Sequence, residues 1–513
     1  MQESSRFDGA KNSGKQKVTR DISMFATNKK IMNRHCQTRG VFFLIFMSSV
    51  FYLLLYYSLR HSRSSNNISK NIKRKFKIYV YDIHPKFRIQ SMIEGKAFQP
   101  HILMFNHSQS QYMLSVLLDS MFRSCPERTE NPEEANLFFI PFYDVLDEKK
   151  ISFSYSDAME KIFSALTNNS TQNNNKWIHL WNKIFTIDPK YYVRNKGIDH
   201  VVSVSRPFWS IPKRYRLEYN PIFITLEYDS RIKKHVEKNI VAPYPINDPS
   251  WLYPTMVSPI KVGYDYSSNV IQSFVKKRKA LLSANDISCD EKSKNLNCVT
   301  NDERPILLYL SGSAKAGKGL RQKLVIPLLK NEKTCPLCLY DEIDRGNNSR
   351  PETGYSLDDL KLKMSKSVFC IVPQGDSATS RRLYNALMTG CIPVVLSDLM
   401  VYPFESRLNY TQLVIWPKEK EAYKLGILRS IEKHLLSQYE SLSVGVVSMR
   451  NKILNNRHKW FYIGDLQFDD LIADTNANPV LKQSKGIPFY RESAYTMILD
   501  ELEKKYSALN LTI

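Results

Sequence analysis

The chain has 513 residues, 43% of them apolar, which is enough material for two domains with appendages. Its net charge of +23 is lopsided: residues 1–77 set sixteen Lys and Arg against Glu3, Asp8 and Asp21, leaving +13 there and +10 over the remaining 436 residues. A basic excess beside an apolar run, with no zinc-ligand framework and no aromatic-interleaved basic motif, excludes a nucleic-acid-binding protein.

That run, Val41 to Leu59, holds 19 residues without a charge, about the length that crosses a bilayer core. A cleavable signal peptide would want a shorter leader and a small-residue cleavage site. Here the leader is 40 residues long and Arg60-His61-Ser62-Arg63 follows at once. The pattern predicts a cytosolic tail (1–40), an uncleaved anchor through the membrane (41–59) and a short basic stem (60–75). The flanking charges alone would keep the bulk of the chain in the cytosol, since Arg60, Arg63, Lys70, Lys73, Arg74, Lys75 and Lys77 outnumber Lys29, Lys30, Arg34 and Arg39. The Asn-x-Ser/Thr sequons oppose this: they begin at Asn67, Asn106, Asn168, Asn169, Asn347, Asn409 and Asn510, and none precedes the anchor.

A first Rossmann-like domain is predicted over 76–260. Its strands are Lys77 to Ile83, Asn136 to Phe142, His200 to Ser205, Pro221 to Glu227 and Ile240 to Pro245. Helices fall between them at Tyr112 to Phe122 and Ser156 to Leu166, and the Asn-rich segment 168–176 reads as a loop insertion. Strands alternating with helices mean a parallel sheet covered on both faces. A second such domain, 261–513, has strands at Ile306 to Leu310, Leu337 to Tyr340, Val368 to Val372, Ile392 to Leu396 and Leu413 to Trp416. Segment 283–304 is a polar insertion in which Cys289 and Cys298 make the best pair for a bridge. Cys335-Pro-Leu-Cys338 lacks the partner pair that a zinc site would need, so both read as structural cysteines. Ser356-Leu357-Asp358-Asp359 opens a helix, and a last helix near Arg491 to Leu509 is expected to pack back across both halves.

The chemistry gathers in Phe369 to Glu405: a strand, a turn at Gly375 with Ser377, Thr379 and Ser380, a helix with Leu383, Ala386, Leu387 and Gly390 on one stripe, and a second strand. Unpaired amides and the positive dipole end at such a helix start attract phosphate. Arg381 and Asn385 fall opposite the apolar stripe, with Arg382 on its flank. Upstream, Gly312-Ser-Ala-Lys-Ala-Gly317-Lys318-Gly319 follows a strand and spells a P-loop except at its last position. That position needs a hydroxyl for Mg²⁺, which argues against an ATPase or kinase. A Golgi sulfotransferase, which uses a related loop without Mg²⁺, remains the alternative reading, but it leaves the 369–405 stretch unexplained.

The stretch resembles the signature of the exostosin-type glycosyltransferases, family 47. The match runs through Phe369, Cys370, Pro373, Gly375 to Ser377, Thr379 to Leu383, Ala386, Gly390 to Val394, Ser397, Asp398 and Pro403 to Glu405. Phe76 to Phe87, Asn131 to Tyr143, Gly197 to His200 and Ile240 to Pro245 are similar to the family as well. The resemblance implies an α/β architecture of two Rossmann-like domains facing across a cleft, the GT-B type, and an inverting transfer from a nucleotide-diphosphate sugar, a UDP-sugar, to a polysaccharide or glycoprotein glycan. It implies a type II protein of the Golgi membrane with its catalytic part in the lumen, no cofactor beyond the donor, and allows a homologous glycosyltransferase as partner. Asn385 stands where the family has an acidic residue expected to hold the ribose, and Asn239 where it often has aspartate. An inactive lectin-like homologue is the non-enzyme alternative, which those two positions would favour.

On this reading Gly312, Ser313, Arg321, Gly375, Ser377, Thr379, Ser380, Arg381, Arg382 and Asn385 bind the donor. No Asp-x-Asp tripeptide occurs in the chain, so no metal site is expected; Arg321, Arg381, Arg382 and the amides near Gly312 and Gly375 take up charge on the leaving diphosphate. Inversion needs a general base in the first domain. Asp199 and His200 rank first, ahead of Glu227 and Asp229.

Overall fold

The computed structural model describes residues 74–84, 113–142, 158–159, 161–163, 174–205, 220–228, 237–246, 251, 266–284, 289–290, 292–313, 319–342, 357–375, 377–462 and 492–509. The anchor run 41–59, the stem through 73, Ser156, Asp229, the divide near Lys261, Gly317, Lys318 and Ser356 lie outside the described residues. Among the described residues no helix is long and apolar enough to cross a membrane.

Two sheets, each wholly parallel, organise the chain. The first has β1 (Ile78–Val80), β2 (Arg128–Thr129), β3 (Leu137–Ile140), β4 (His200–Val204), β5 (Ile222–Thr225) and β6 (Ile240–Val241), in the order β2-β1-β3-β4-β5-β6. The second has β7 (Ile306–Gly312), β8 (Cys338–Glu342), β9 (Ser367–Pro373) and β10 (Ile392–Leu396), in the order β10-β9-β7-β8. Strands of parallel sheets are covered on both faces and so read as apolar runs; every residue of β3, β4, β5, β7, β9 and β10 is buried. The pleat sorts them by face. Leu137 and Phe139 enter the main core, whereas Phe138 and Ile140 enter a second cluster with Trp177, Trp181 and Tyr192.

The main core is continuous from Ile78 and Ile222 of the first sheet, through Tyr244 and Trp251, to Leu308, Phe369 and Val394 of the second. Residues 74–513 accordingly form one compact unit. Among the helices, α1 (Leu114–Ser124) lies on the first sheet, while α2 (Arg381–Thr389) and α3 (Leu442–Asn456) lie on the second. The last, α4 (Ala494–Ala508), is capped by Ser493. Tyr495 of α4 packs edge-on to Phe122 and donates to the Met121 carbonyl at 3.1 Å. Arg74 pairs with both Glu127 and Asp500 at 2.7 and 2.8 Å, and Arg407 reaches Asp500 and Glu492 from the second half.

Three elements depart from the sequence expectation, the first being the edge strand β2, which it did not include. Asn174 to Lys176, placed in a loop by composition, begin the helix Asn174–Ile184, because Trp177, Trp181 and Ile184 recur at helical spacing into the second cluster. Leu413 to Trp416 makes no strand: only Ile415 pairs, with Val394, between the 3₁₀ turn Tyr410–Gln412 and Pro417. Cys289–Cys298 and Cys335–Cys338 are disulfides, and a third, Cys370–Cys391, ties β9 to the start of β10. Cys125 is free and buried.

Candidate functional site

From β7 the chain goes to β8 on one side, then crosses back to β9 on the other. Ligands of open parallel sheets bind at such a switch point, outside the carboxyl ends of the strands. Gly312 is the last residue of β7 and Gln374 follows β9, so both border this crevice. Into it points the start of α2, where the Ser380 hydroxyl accepts from the Arg382 amide, as an N-cap should. Gly390 ends the helix at φ 68°, a conformation that glycine adopts without penalty.

Two guanidiniums bracket the crevice. Arg382 donates from Nε to the Ser311 carbonyl at 2.6 Å and from Nη1 to the Ser380 hydroxyl at 3.2 Å. A Cβ on Gly312 would lie 2.8 Å from Arg382 Nη2, so the guanidinium rests where any side chain at 312 would stand. Arg321 opens a π-helical turn, Arg321–Val325, a geometry frequent at functional sites. It is buried and donates from Nη2 to the Gln374 carbonyl at 2.9 Å. The Tyr340 hydroxyl completes the frame, donating to the Gly312 carbonyl at 2.9 Å. Burial raises the Tyr340 pKa, while Arg321 and Arg382 both pull it down, so both cations lie within electrostatic reach of one phenol.

The polar side of α2 is not the solvated face that helical spacing suggests. Arg381 and Asn385 are both buried, along with all the residues from Leu383 to Thr389. A helix enclosed all round has its polar stripe facing protein or ligand rather than bulk water. The amide oxygen of Asn385 has no hydrogen-bond partner among the described residues, and the Thr379 hydroxyl lies within reach of the Tyr384 phenol. Leaving a buried acceptor unsatisfied costs about 1–3 kcal/mol, and a ligand that donates hydroxyls removes that cost. Ser313 is buried beside this frame. The Gly375 amide donates to Ser377 and the Ser377 hydroxyl to the Thr379 carbonyl, which shapes the turn ahead of Ser380.

The first half meets α2 through Glu227. This carboxylate follows the carboxyl end of β5, is buried, and accepts from the Tyr244 hydroxyl. The Tyr244 ring lies 5.8 Å from the ring of Tyr384 on α2. Tyr384 has its phenol pKa pushed up by burial and then by the charge of Glu227. Asn239 sits elsewhere: it accepts from the Phe223 amide and donates to the Tyr228 hydroxyl, holding the β5–β6 edge.

Asp199 and His200 are not brought to the crevice. They lie at the amino end of β4, the edge opposite the one that Glu227 borders. His200 is fully enclosed, bonded through Nδ1 to Asp199 and through Nε2 to the Tyr81 hydroxyl, each at 2.7 Å, and stacked on Phe138. Asn195 donates to the other carboxylate oxygen at 2.6 Å. Burial pushes the Asp199 pKa up, but the bonds from His200 and Asn195 outweigh it and hold it low; burial lowers that of His200 against the pull of Asp199. Tyr340 and Tyr384 are the site residues that sequence reasoning missed. Tyr340 does close a predicted strand, and a hydroxyl at a strand's carboxyl end is the signal that could have found it. Among the described residues no group of His, Cys, Asp or Glu is arranged to hold a metal ion.

Two parallel sheets, a glycine at the end of β7 and two arginines anchored to backbone carbonyls beside a capped helix start define an α/β protein with a candidate ligand site at the switch point of its second sheet. The comparisons sharpen that class. The family model of the exostosin GT47 domain matches residues 72–435, and the chain belongs to that family of glycosyltransferases. It is similar to the "Probable xyloglucan galactosyltransferase GT17" of Arabidopsis thaliana, 21% identical over 424 residues, covering 76% of this chain and 78% of that one. It is also similar to the "Probable beta-1,4-xylosyltransferase IRX10" of the same plant, 24% identical over 379 residues, covering 72% and 74%. Among solved structures, a glycosyltransferase from Rickettsia africae is 10% identical, covering 86% of this chain and 100% of that one, with a TM-score of 0.35, too low to support any argument.

Proposed function

We propose that this glycosyltransferase transfers a sugar, with inversion, from a UDP-sugar to a polysaccharide or glycoprotein glycan, and that it works in the Golgi lumen as a type II membrane protein of GT-B build. The observation that carries the donor assignment is the Asn385 amide oxygen, buried and unpartnered among the described residues, one helical turn from Arg382. A ribose hydroxyl supplies the missing donor, and the diphosphate then falls between Arg321 and Arg382. The names of the relatives, a xyloglucan galactosyltransferase and a xylosyltransferase, favour a polysaccharide acceptor. Three disulfides favour an oxidising compartment.

In the reaction the acceptor oxygen forms a bond to the anomeric carbon as the bond from that carbon to the diphosphate oxygen breaks. Negative charge grows on the leaving diphosphate. Arg321, Arg382 and the α2 start are fixed in advance to receive it, so no reorganisation is needed as the charge develops. The acceptor proton goes to a base in the first half. Glu227 is our assignment, because it alone of the ranked carboxylates among the described residues borders the carboxyl edge and faces α2. The test is a panel of nucleotide sugars assayed for binding and turnover with the purified protein. A UDP-sugar that binds and is turned over supports the proposal; binding of a nucleotide phosphosulfate instead would replace it with sulfate transfer.

A further inference from the structure

Of the seven sequons, the one at Asn409 lies among the described residues, and there its geometry is open to inspection. Asn409 is the N-cap of the 3₁₀ turn Tyr410–Gln412. Its side-chain oxygen accepts from the Thr411 amide at 3.2 Å and from the Thr411 hydroxyl at 2.7 Å. The side-chain nitrogen donates to no described residue, and both Asn409 and Thr411 are exposed. The turn therefore uses only the half of the amide that a glycan leaves alone. We propose that Asn409 carries an N-linked glycan, a reading that rests on the lumenal orientation proposed above.

The donor would be an oligosaccharide on a lipid diphosphate, transferred by the cell's own oligosaccharyltransferase. Asn409 Nδ2 forms a bond to the anomeric carbon of the first sugar as the carbon–oxygen bond to the lipid diphosphate breaks. Nδ2 loses one proton to solvent and keeps the other, and the lipid diphosphate departs. The amide carbonyl is untouched, so the cap and the Thr411 bond survive in the product. Burial raises the opposite case: a sequon whose nitrogen is enclosed cannot keep a glycan after folding. Here the neighbours on the outer side are Glu405, Ser406 and Arg407, all exposed, around an open hollow of about 540 Å³ floored by Tyr402, Tyr410 and Trp416. A sugar on Asn409 has room at the rim of that hollow.

The full chain, expressed in cells with an intact secretory pathway, is treated with an N-glycan-removing amidase in heavy-oxygen water and digested. Mass spectrometry then reads each sequon peptide. The expected result is the Asn409 peptide converted to isotope-labelled aspartate, and loss of that signal in Thr411→Ala. Thr411→Ser should retain it, which separates a lost sequon from a misfolded turn. Labelled peptides at other sequons with an unmodified Asn409 would overturn this inference and leave the orientation intact. No label at any sequon would overturn the inference together with the lumenal placement.

Discussion

The amino edge of the first sheet and the carboxyl edge of the second hold residues that look alike in a sequence: a histidine with an aspartate on one side, arginines with an asparagine on the other. At the first, Tyr81, His200, Asp199 and Asn195 use one another's polar atoms inside an aromatic shell. At the second, the arginines are anchored to carbonyls while Asn385 keeps a buried amide oxygen without a partner among the described residues. The carboxylate and imidazole of the first cluster are paired with each other, whereas the second leaves a buried amide oxygen beside a switch point. Strand direction makes the same division, since crevices form where helices and strands leave room at carboxyl ends.

The largest effect should come from the sealed edge, and on stability alone. Asp199→Ala leaves His200 and Asn195 without their acceptor, and each buried donor orphaned in this way costs about 1–3 kcal/mol. Chemical denaturation should show that loss, with turnover per folded molecule unchanged. Reduced turnover in the folded fraction would place Asp199 in the chemistry after all.

At the open edge the order reverses. Arg382→Lys keeps the charge but loses the planar fork that spans Ser311 and Ser380. Turnover should fall on the order of 100-fold, as for other electrostatic stabilisers, with a nearly unchanged melting temperature. A gentler probe is Gly312→Ala. Its new methyl would stand 2.8 Å from Arg382 Nη2, so the guanidinium must move while the backbone need not. Steady-state kinetics should show a loss of about 10-fold, a share of what removing one stabilising donor costs.

The smallest effect is the pH response, and it should belong to the sealed groups. His200 is held neutral by burial, and His458, buried and next to Lys459, has its pKa lowered from 6.5 to about 4. A histidine with a depressed folded pKa takes up its proton more readily when unfolded, so the unfolded chain gains as pH falls below 6.5. Asp199, also held low, adds stability that is lost only below the usual carboxylate range. Melting temperature should therefore drop between pH 6.5 and about 4, and His458→Gln should flatten the slope. An unchanged slope in that variant would remove His458 from the account.

Much of this was legible because period and chain direction are local properties. The strand Ile392–Leu396 and the turn at Ser380 follow from an apolar run and a hydroxyl before a helix. The disulfide Cys289–Cys298 follows from two cysteines that bracket a polar segment. What stayed hidden depends on the surroundings. Helical spacing sets Arg381 and Asn385 opposite the apolar stripe of α2 but does not tell that both are buried. His200 reads as a base until Tyr81 and Phe138 close over it. Leu413 to Trp416 is strand-like in composition, yet it pairs only at Ile415, beside a proline that cannot donate to a ladder.

The central claim is that the second sheet's carboxyl edge, through Asn385 and Arg382, holds the nucleotide diphosphate. Calorimetric titration with UDP tests it without an acceptor or a known sugar. UDP should bind the protein. Asn385→Ala should weaken it by about 5-fold, the worth of roughly one hydrogen bond, and folded Asp199→Ala should bind as the parent does. Affinity unmoved in Asn385→Ala and lost in folded Asp199→Ala would contradict the account.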